Sequence, residues 1–234
     1  MKNIIGYLQL WWLMKSPPAL FSRLFGVSWY RNMLEQWVAP ILTSNAMVLE
    51  VGCASGDFSQ LLAERHMKVS AVDRSAQMME KARQRPGPVQ FKQADAAQLP
   101  FPNQHFDVVL AASLINVVDT PRAVLAEMCR VCRDGGTVSV LVPSQSFSDA
   151  DAKHYLEAEQ LTGLSNAAFT TWHRLGRKMD AGVVQGYFME CGMINISTRI
   201  LLGGMVIAIS GCCHAVSPLK SKFPFILEAG NPRG

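Results

Sequence analysis

Three carboxylates recur at comparable places in the first half of this chain, each at the end of a short apolar run: Glu50, Asp73 and Asp95. Glu50 leads into Val51-Gly52-Cys53-Ala54-Ser55-Gly56. Glycine takes positive φ and lets the backbone approach a ligand with no Cβ in the way. A buried strand, a glycine turn and the helical apolar spacing over residues 57–65 make half of a βαβ unit, a frame for a nucleotide. The charges discriminate between nucleotides. A dinucleotide site wants Gly-x-Gly-x-x-Gly and a bare helix N-terminus against a pyrophosphate. Here Ala54 holds the place of the middle glycine, and Asp57 at the helix start would repel a pyrophosphate, which disfavours NAD. Glu50 adds a second negative charge, which suits a ligand carrying an ammonium and a sulfonium. The plainer alternative is that Asp57 only caps its helix and Glu50 is solvated at the strand end.

Asp73 closes the run Lys68-Val69-Ser70-Ala71-Val72 and lies 21 residues after Gly52. At that spacing an acidic residue meets a ribose diol in βαβ nucleotide sites; Asp73 could instead cap a helix over residues 75–83, but its register with Gly52 favours the ribose role. Residues 89–96 give a third strand with a third acidic end, Asp95. Three carboxylates on one edge of a parallel sheet exceed what capping explains.

These blocks, in this order, resemble the class I S-adenosylmethionine-dependent methyltransferases, type 11-like, from residue 48 to 143 with weaker echoes to 213. Residues 48–56 resemble the family's first motif, Asp73 its ribose carboxylate, and Asp95-Ala96 the pair that reads adenine. Residues 99–110 look like its loop and fourth strand. Residues 123–136, with Glu127, Met128, Arg130, Val131 and Gly135-Gly136, look like the helix and turn before strand five. The resemblance implies an α/β, Rossmann-like sheet of seven strands, ordered 3-2-1-4-5-7-6 with the last antiparallel, helices on both faces and a helical N-terminal and lid cap. It implies S-adenosylmethionine as cofactor, held by Glu50, Gly52, Cys53, Gly56, Asp73, Arg74, Asp95 and Ala96. Ala111 and Ala112 would line its methionine and adenosine end, Met78 would pack near the adenine or ribose, and Tyr30 would cover its carboxylate. Tyr30 also reads as an aromatic helix start.

The chain departs from the family after the fourth strand, where many relatives carry Glu-His and this one has Asn116-Val117. A histidine base is absent there. Asn116 remains a candidate to orient a substrate oxygen, or a cap or turn residue. Methyl transfer depends mainly on placing a nucleophile in line with the methyl, so activity does not require that base. The lid candidate, residues 144–180, contains His154, Tyr155, Phe169, Trp172, His173 and Arg174. His173 is the first choice for substrate contact and His154 the second, each against the alternative of a solvated imidazole.

The elements that must position these residues follow from composition and punctuation. The 234 residues are 49% hydrophobic and 17% charged, enough for one sizeable core. One domain is expected: residues 1–44 as a helical cap, 45–143 as the cofactor-binding core, 144–180 as the lid, 181–213 as a helix and hairpin, and 214–234 as a tail. The net charge of +4 is spread along the chain in short basic clusters, which argues against nucleic acid. Six cysteines at this length do not make a disulfide scaffold and fit a reduced cytoplasm. Cys129 and Cys132 are expected one turn apart on a helix as core residues, and Cys212-Cys213-His214 as strand-end packing in preference to a soft-metal site; no metal is expected. Residues 1–14 are apolar and too short to span a bilayer. A cap over the cofactor or between subunits is preferred there over an interfacial helix on a membrane. Trp29, Met33, Leu34, Trp37 and Val38 space out the buried face of a following helix.

The sequence thus reads as an enzyme passing the sulfonium methyl to an O, N, S or C nucleophile of a small, aromatic or apolar acceptor. Two other readings stay open: a non-catalytic S-adenosylmethionine-binding partner or sensor, and a membrane-docked lipid or quinone methyltransferase. The expected state is a monomer or homodimer.

Overall fold

Val48, Leu49, Glu50 and Val51 are all buried, a continuous run rather than an alternation, because their strand has neighbours on both sides and helices on both faces. In the computed structural model, which describes residues 2–213, that strand is β1 (Met47–Val51), paired in parallel with β2 (Lys68–Asp73) and β4 (Phe106–Ala112). The sheet continues through β3 (Gln90–Gln93), β5 (Cys132–Pro143), β6 (Ile194–Leu201) and β7 (Val206–Cys212) in the order β3-β2-β1-β4-β5-β7-β6. β7 runs antiparallel to β5 and β6, and the other pairings are parallel. The sheet order and the antiparallel last strand are those expected from the sequence.

Nine helices accompany the strands among the described residues: α1 (Lys2–Leu13), α2 (Pro17–Phe25), α3 (Ser28–Val38), α4 (Asp57–Glu64), α5 (Ala76–Arg83), α6 (Pro121–Val131), α7 (Asp149–Ala158), α8 (Gly163–Leu175) and α9 (Ala181–Glu190). The pleat sends alternate residues of one strand to opposite layers. Val48, Val108 and Leu110 pack with α3, α4 and α8, while Leu49, Val109 and Ala111 pack with α6 and α9. Trp29, Met33, Leu34, Trp37 and Val38 form the buried face of α3. The Trp37 indole donates to Ser139 Oγ at 2.8 Å in the interior, fastening α3 to β5.

Several boundaries differ from expectation for local reasons. β3 is four residues long because Asp95 Oδ1 accepts from the Ala97 backbone N–H at 2.8 Å, turning the chain out of the sheet. β5 starts at Cys132, not at Gly136: Cys132 pairs with Phe106, and Gly135 takes φ +73° before the ladder resumes at Thr137 opposite Val108. Cys129 and Cys132 therefore sit on different elements and not one turn apart. Pro17-Pro18 opens α2, since proline suits the first helical turn. His214 and the tail lie outside the described residues.

Residues that carry the motif resemblance also stitch the core. Arg130 donates to the carbonyls of Leu99 and Phe101 at 2.9 Å each and pairs with Glu127 at 2.6 Å, and Glu127 accepts from the Leu99 N–H at 2.7 Å. Asp107 accepts from the Met47 N–H at 2.7 Å and pairs with Arg133 at 2.7 Å.

Two substitutions test this packing. Ser139→Ala strands the buried Trp37 N–H without an acceptor and is expected to cost about 1–3 kcal/mol in urea unfolding; an unchanged midpoint would show that the indole finds another partner. Gly56→Ala forces a Cβ to 2.7 Å from the Phe91 ring at φ +76° and is expected to destabilise by about 2–4 kcal/mol. A thermal melt within a degree of the parent would refute the close approach.

Candidate active site

The residues at the ends of β1, β2 and β4 open into a cavity of about 890 Å³. Its floor is the turn after β1. The N–H groups of Gly52 and Cys53 donate to the Val72 carbonyl at 2.8 and 3.0 Å, so the turn is fastened to β2. Gly52 lies at φ +79°, and Ala54 follows at +46°, a conformation that L residues seldom adopt. The Asp73 carboxylate holds Ala54 in place: Oδ2 accepts from the Ala54 N–H and Oδ1 from the Ser75 N–H, both at 2.9 Å. Ser75 in turn caps α5, which presents the buried Met78 to the cavity.

Glu50 is buried at 4% exposure and accepts from the Ser59 hydroxyl. Burial, and then the charges of Asp73 and Asp57, push its pKa up to about 7, against the opposing Ser59 hydrogen bond. Asp57 is differently placed: Arg85 pairs with it at 2.6 Å, and the hydroxyls of Ser55 and Ser22 donate to it at 2.7 and 3.2 Å. Its charge is compensated, so the repulsion of a pyrophosphate inferred from the sequence is weaker than a bare carboxylate would give. The cavity lining nevertheless carries five carboxylates, Glu50, Asp57, Asp73, Asp95 and Asp119, against two guanidiniums, Arg74 and Arg177. The excess favours a cationic ligand. Burial foremost, and then Glu50, raise the pKa of the Tyr30 phenol and of the Cys53 thiol, so both stay protonated at neutral pH.

The opposite wall is apolar. Leu10, Leu20, Leu24, Phe25 and Trp29 from the three N-terminal helices face Trp172 and Leu175 of α8. Trp29 and Trp172 stack at 6.0 Å. Between the two halves, Ser113 and Asn116 line the cavity just beyond β4, and Ser113 Oγ and Asn116 Oδ1 are buried with no hydrogen-bond partner in the protein. Asn116 is oriented by its Nδ2, which donates to the Arg177 carbonyl at 3.2 Å. A buried polar atom left unpaired is costly; two of them at one wall mark where a ligand's polar groups belong.

Ten of the twelve cofactor candidates line this cavity: Tyr30, Glu50, Gly52, Cys53, Asp73, Arg74, Met78, Asp95, Ala96 and Ala112. Gly56 and Ala111 do not. Gly56 is where α4 presses on Phe91 and Ala82, and Ala111 points to the other face of β4 from Ala112. Of the catalytic candidates, Asn116 alone lines the cavity. His173 is buried on the far side of α8, its Nε2 2.8 Å from Asp149 Oδ1 and its ring edge-on to Phe147. His154 is exposed on α7. Both depart from the expected substrate contact, because the face of α8 turned to the cavity carries Ala168, Thr171, Trp172 and Leu175. Phe169 and Tyr155 stack on each other at 5.0 Å within the core. Sequence reasoning missed Trp29, Ser113 and Arg177; a polar residue directly after the apolar run of β4 was the available signal for Ser113.

In sequence and in fold the chain is similar to known methyltransferases. Residues 49–140 match the model of a methyltransferase domain. The chain is 40% identical over 100 residues to a phosphatidylethanolamine N-methyltransferase of Cereibacter sphaeroides, covering 40% of this chain and 49% of the relative. It is 33% identical over 115 residues to a malonyl-[acyl-carrier protein] O-methyltransferase of Serratia marcescens, covering 48% and 45%. The matches thus span about half the length of these curated relatives. Among solved structures, an S-adenosylmethionine-dependent methyltransferase of Thermotoga maritima superposes with a TM-score of 0.63 at 20% identity, over 87% of this chain and 99% of that one. Residues 49–140 thus match a methyltransferase domain, and the chain shares the Rossmann-like, seven-stranded fold of that solved methyltransferase.

Proposed function

We propose that this chain binds S-adenosylmethionine across the turn after β1 and transfers its methyl group to a small acceptor with an apolar or aromatic body. The observation that carries this reading is the division of one cavity into a carboxylate-rich half on the strand ends and an apolar half under the N-terminal helices, with Ser113 and Asn116 at the junction.

The residues present fit the cofactor. Asp73 has spent one lone pair of each oxygen on backbone N–H groups and keeps the others for a ribose diol. Asp95 at the rim, with Ala96 beside it, would take the adenine edge. Gly52 offers backbone with no side chain between it and the ligand, and Glu50 in ionised form would pair with the ligand's ammonium. Bound there, S-adenosylmethionine supplies a methyl group on a positively charged sulfur. The chain's own part is to hold the acceptor against the wall made by Trp29, Trp172 and Leu24 and to exclude water. Ser113 Oγ and Asn116 Oδ1 would orient a polar group on the acceptor or the cofactor. The names of the two curated relatives agree on methyl transfer and differ in acceptor; of the two, the phospholipid amine carries the apolar tail that the apolar half would suit.

Two measurements test the reading. Asp73→Asn should weaken S-adenosylhomocysteine binding by about 2–4 kcal/mol in calorimetric titration, since two charge-assisted hydrogen bonds to a diol become neutral or are lost. Unaltered affinity would remove Asp73 from the ribose site. The pH dependence has a definite sign. Below pH 7 Glu50 is mostly neutral and must release a proton before it can pair with an ammonium, so affinity should rise about tenfold between pH 6 and pH 8. Proton release should appear as a buffer-dependent binding enthalpy at pH 6.5. Glu50→Gln should flatten both; a flat profile in the parent would exclude Glu50 from the ammonium site.

A further inference from the structure

Helix α1 carries two apolar faces, and only one of them is covered. Leu10 is buried, and Gly6 meets α8 so closely that a Cβ would collide with the Gly163 carbonyl. The Asn3 side chain accepts from the Gly163 N–H at 3.1 Å, fixing the same face. On the other side Ile4, Ile5, Leu8, Trp11 and Trp12 are each between 55% and 68% exposed. At 100° per residue these five fall within about 120° of arc, a continuous stripe rather than scattered exposure. A patch of this kind on a folded domain marks a contact surface.

The charges indicate what covers it. The first 34 residues contain Lys2, Lys15, Arg23 and Arg31 and no acidic residue. Lys15 extends the stripe, its Nζ 4.1 Å from the centre of the Trp11 ring, and exposed Arg23 helps line a shallow hollow with Leu8 and Trp12. A two-fold contact between copies would set these cations against one another with no carboxylate in the stripe to answer them. An anionic lipid surface answers them directly: tryptophan and leucine enter the headgroup boundary while the cations remain at the phosphates. No helix among the described residues is long and apolar enough to cross a membrane, so the contact is with the surface. The stripe also adjoins the cavity. Met14, at the end of α1, is half exposed and lines the cavity, as do the exposed Val117 and Leu175, giving its mouth an apolar rim.

We propose that the exposed face of α1 docks this domain on an anionic lipid surface, bringing the rim of the cavity to the layer from which an acceptor with an apolar tail enters. The proposal builds on the methyltransferase reading for the use of the cavity, whereas the docking itself is read without it. The test is co-sedimentation of the full chain with vesicles of phosphatidylcholine alone and with about one third phosphatidylglycerol. The chain should pellet with the anionic vesicles, weakly with the neutral ones, and less as salt rises. Leu8→Gln, Trp11→Gln and Trp12→Gln combined should reduce binding on the order of tenfold or more while leaving S-adenosylhomocysteine affinity unchanged, because none of the three lines the cavity. Lys15→Gln with Arg23→Gln should abolish the preference for anionic vesicles. Failure to bind either vesicle, or binding that the triple variant retains, would overturn docking. So would a concentration-dependent dimer in light scattering that the triple variant dissolves, since that assigns the face to a second copy. Loss of S-adenosylhomocysteine binding in the parent, with vesicle binding intact, would instead sink the methyltransferase reading.

Discussion

Crowding of negative charge at one end of the parallel strands is the constraint around which this domain is arranged. Glu50, Asp57 and Asp73 lie close enough for each of the last two to raise the pKa of the first. Partly buried carboxylates in such a group must each be answered or neutralised. The answers are structural members in their own right. Asp73 takes two backbone N–H groups and thereby holds the left-handed turn at Ala54 and the start of α5. Asp57 takes Arg85 and two serine hydroxyls, one of them Ser22 of α2, which anchors the N-terminal helices against the sheet. Glu50 is left with one hydroxyl and no cation, and its proton does the neutralising. The fold thus keeps a carboxyl with no cationic partner of its own where a cationic ligand would draw it into its charged form.

The residues that resemble the family motifs divide between two tasks. Glu50, Gly52, Asp73 and Asp95 face the cavity. Asp107, Glu127 and Arg130 do not; they close the loop between β3 and β4 onto α6 and tie the start of β1 to β4 and β5. A buried carbonyl or N–H in an irregular loop needs a partner as much as one in a strand does, and these three side chains supply it. Their presence in the sequence pattern reports on fold, not on chemistry.

The same division explains what the sequence made legible. Strand ends followed by glycine or carboxylate are dictated by backbone rules that act over a few residues, so the floor of the cavity and the sheet order could be read from the chain. The identity of the wall could not. Whether His173 or Trp172 meets the cavity depends on the rotation of α8 about its axis, and that is fixed by Phe169 and His173 packing on Phe147, in the loop before α7, and by His173 meeting Asp149 at the start of α7. Gly56 was legible as a glycine that the backbone needs, yet its reason is the Phe91 ring from β3 rather than a ligand. Trp29 reads from spacing as a core residue, and it is one; that it also lines the cavity depends on the helices packed around it and not on spacing along α3.

The chemistry of the apolar half follows from what the walls withhold. No histidine or lysine lines the cavity among the described residues, and burial keeps the Tyr30 phenol and the Cys53 thiol protonated. Glu50 could accept a proton near neutral pH, but in the proposed arrangement its charge belongs to the cofactor's ammonium. Ser113 and Asn116 at the junction can donate or accept hydrogen bonds without changing charge, which leaves Asp119 as the lining carboxylate nearest them in the chain that the cofactor does not claim. Rate enhancement on such a surface comes from holding two groups in line and removing water between them, a contribution that in well-oriented systems reaches several kcal/mol or more. The acceptors this favours are those whose attacking atom is already competent when it arrives: a neutral amine, a thiolate, or a carboxylate or phenolate of low pKa. An aliphatic alcohol, which must lose its proton during transfer, would have only a lining carboxylate such as Asp119 to take it.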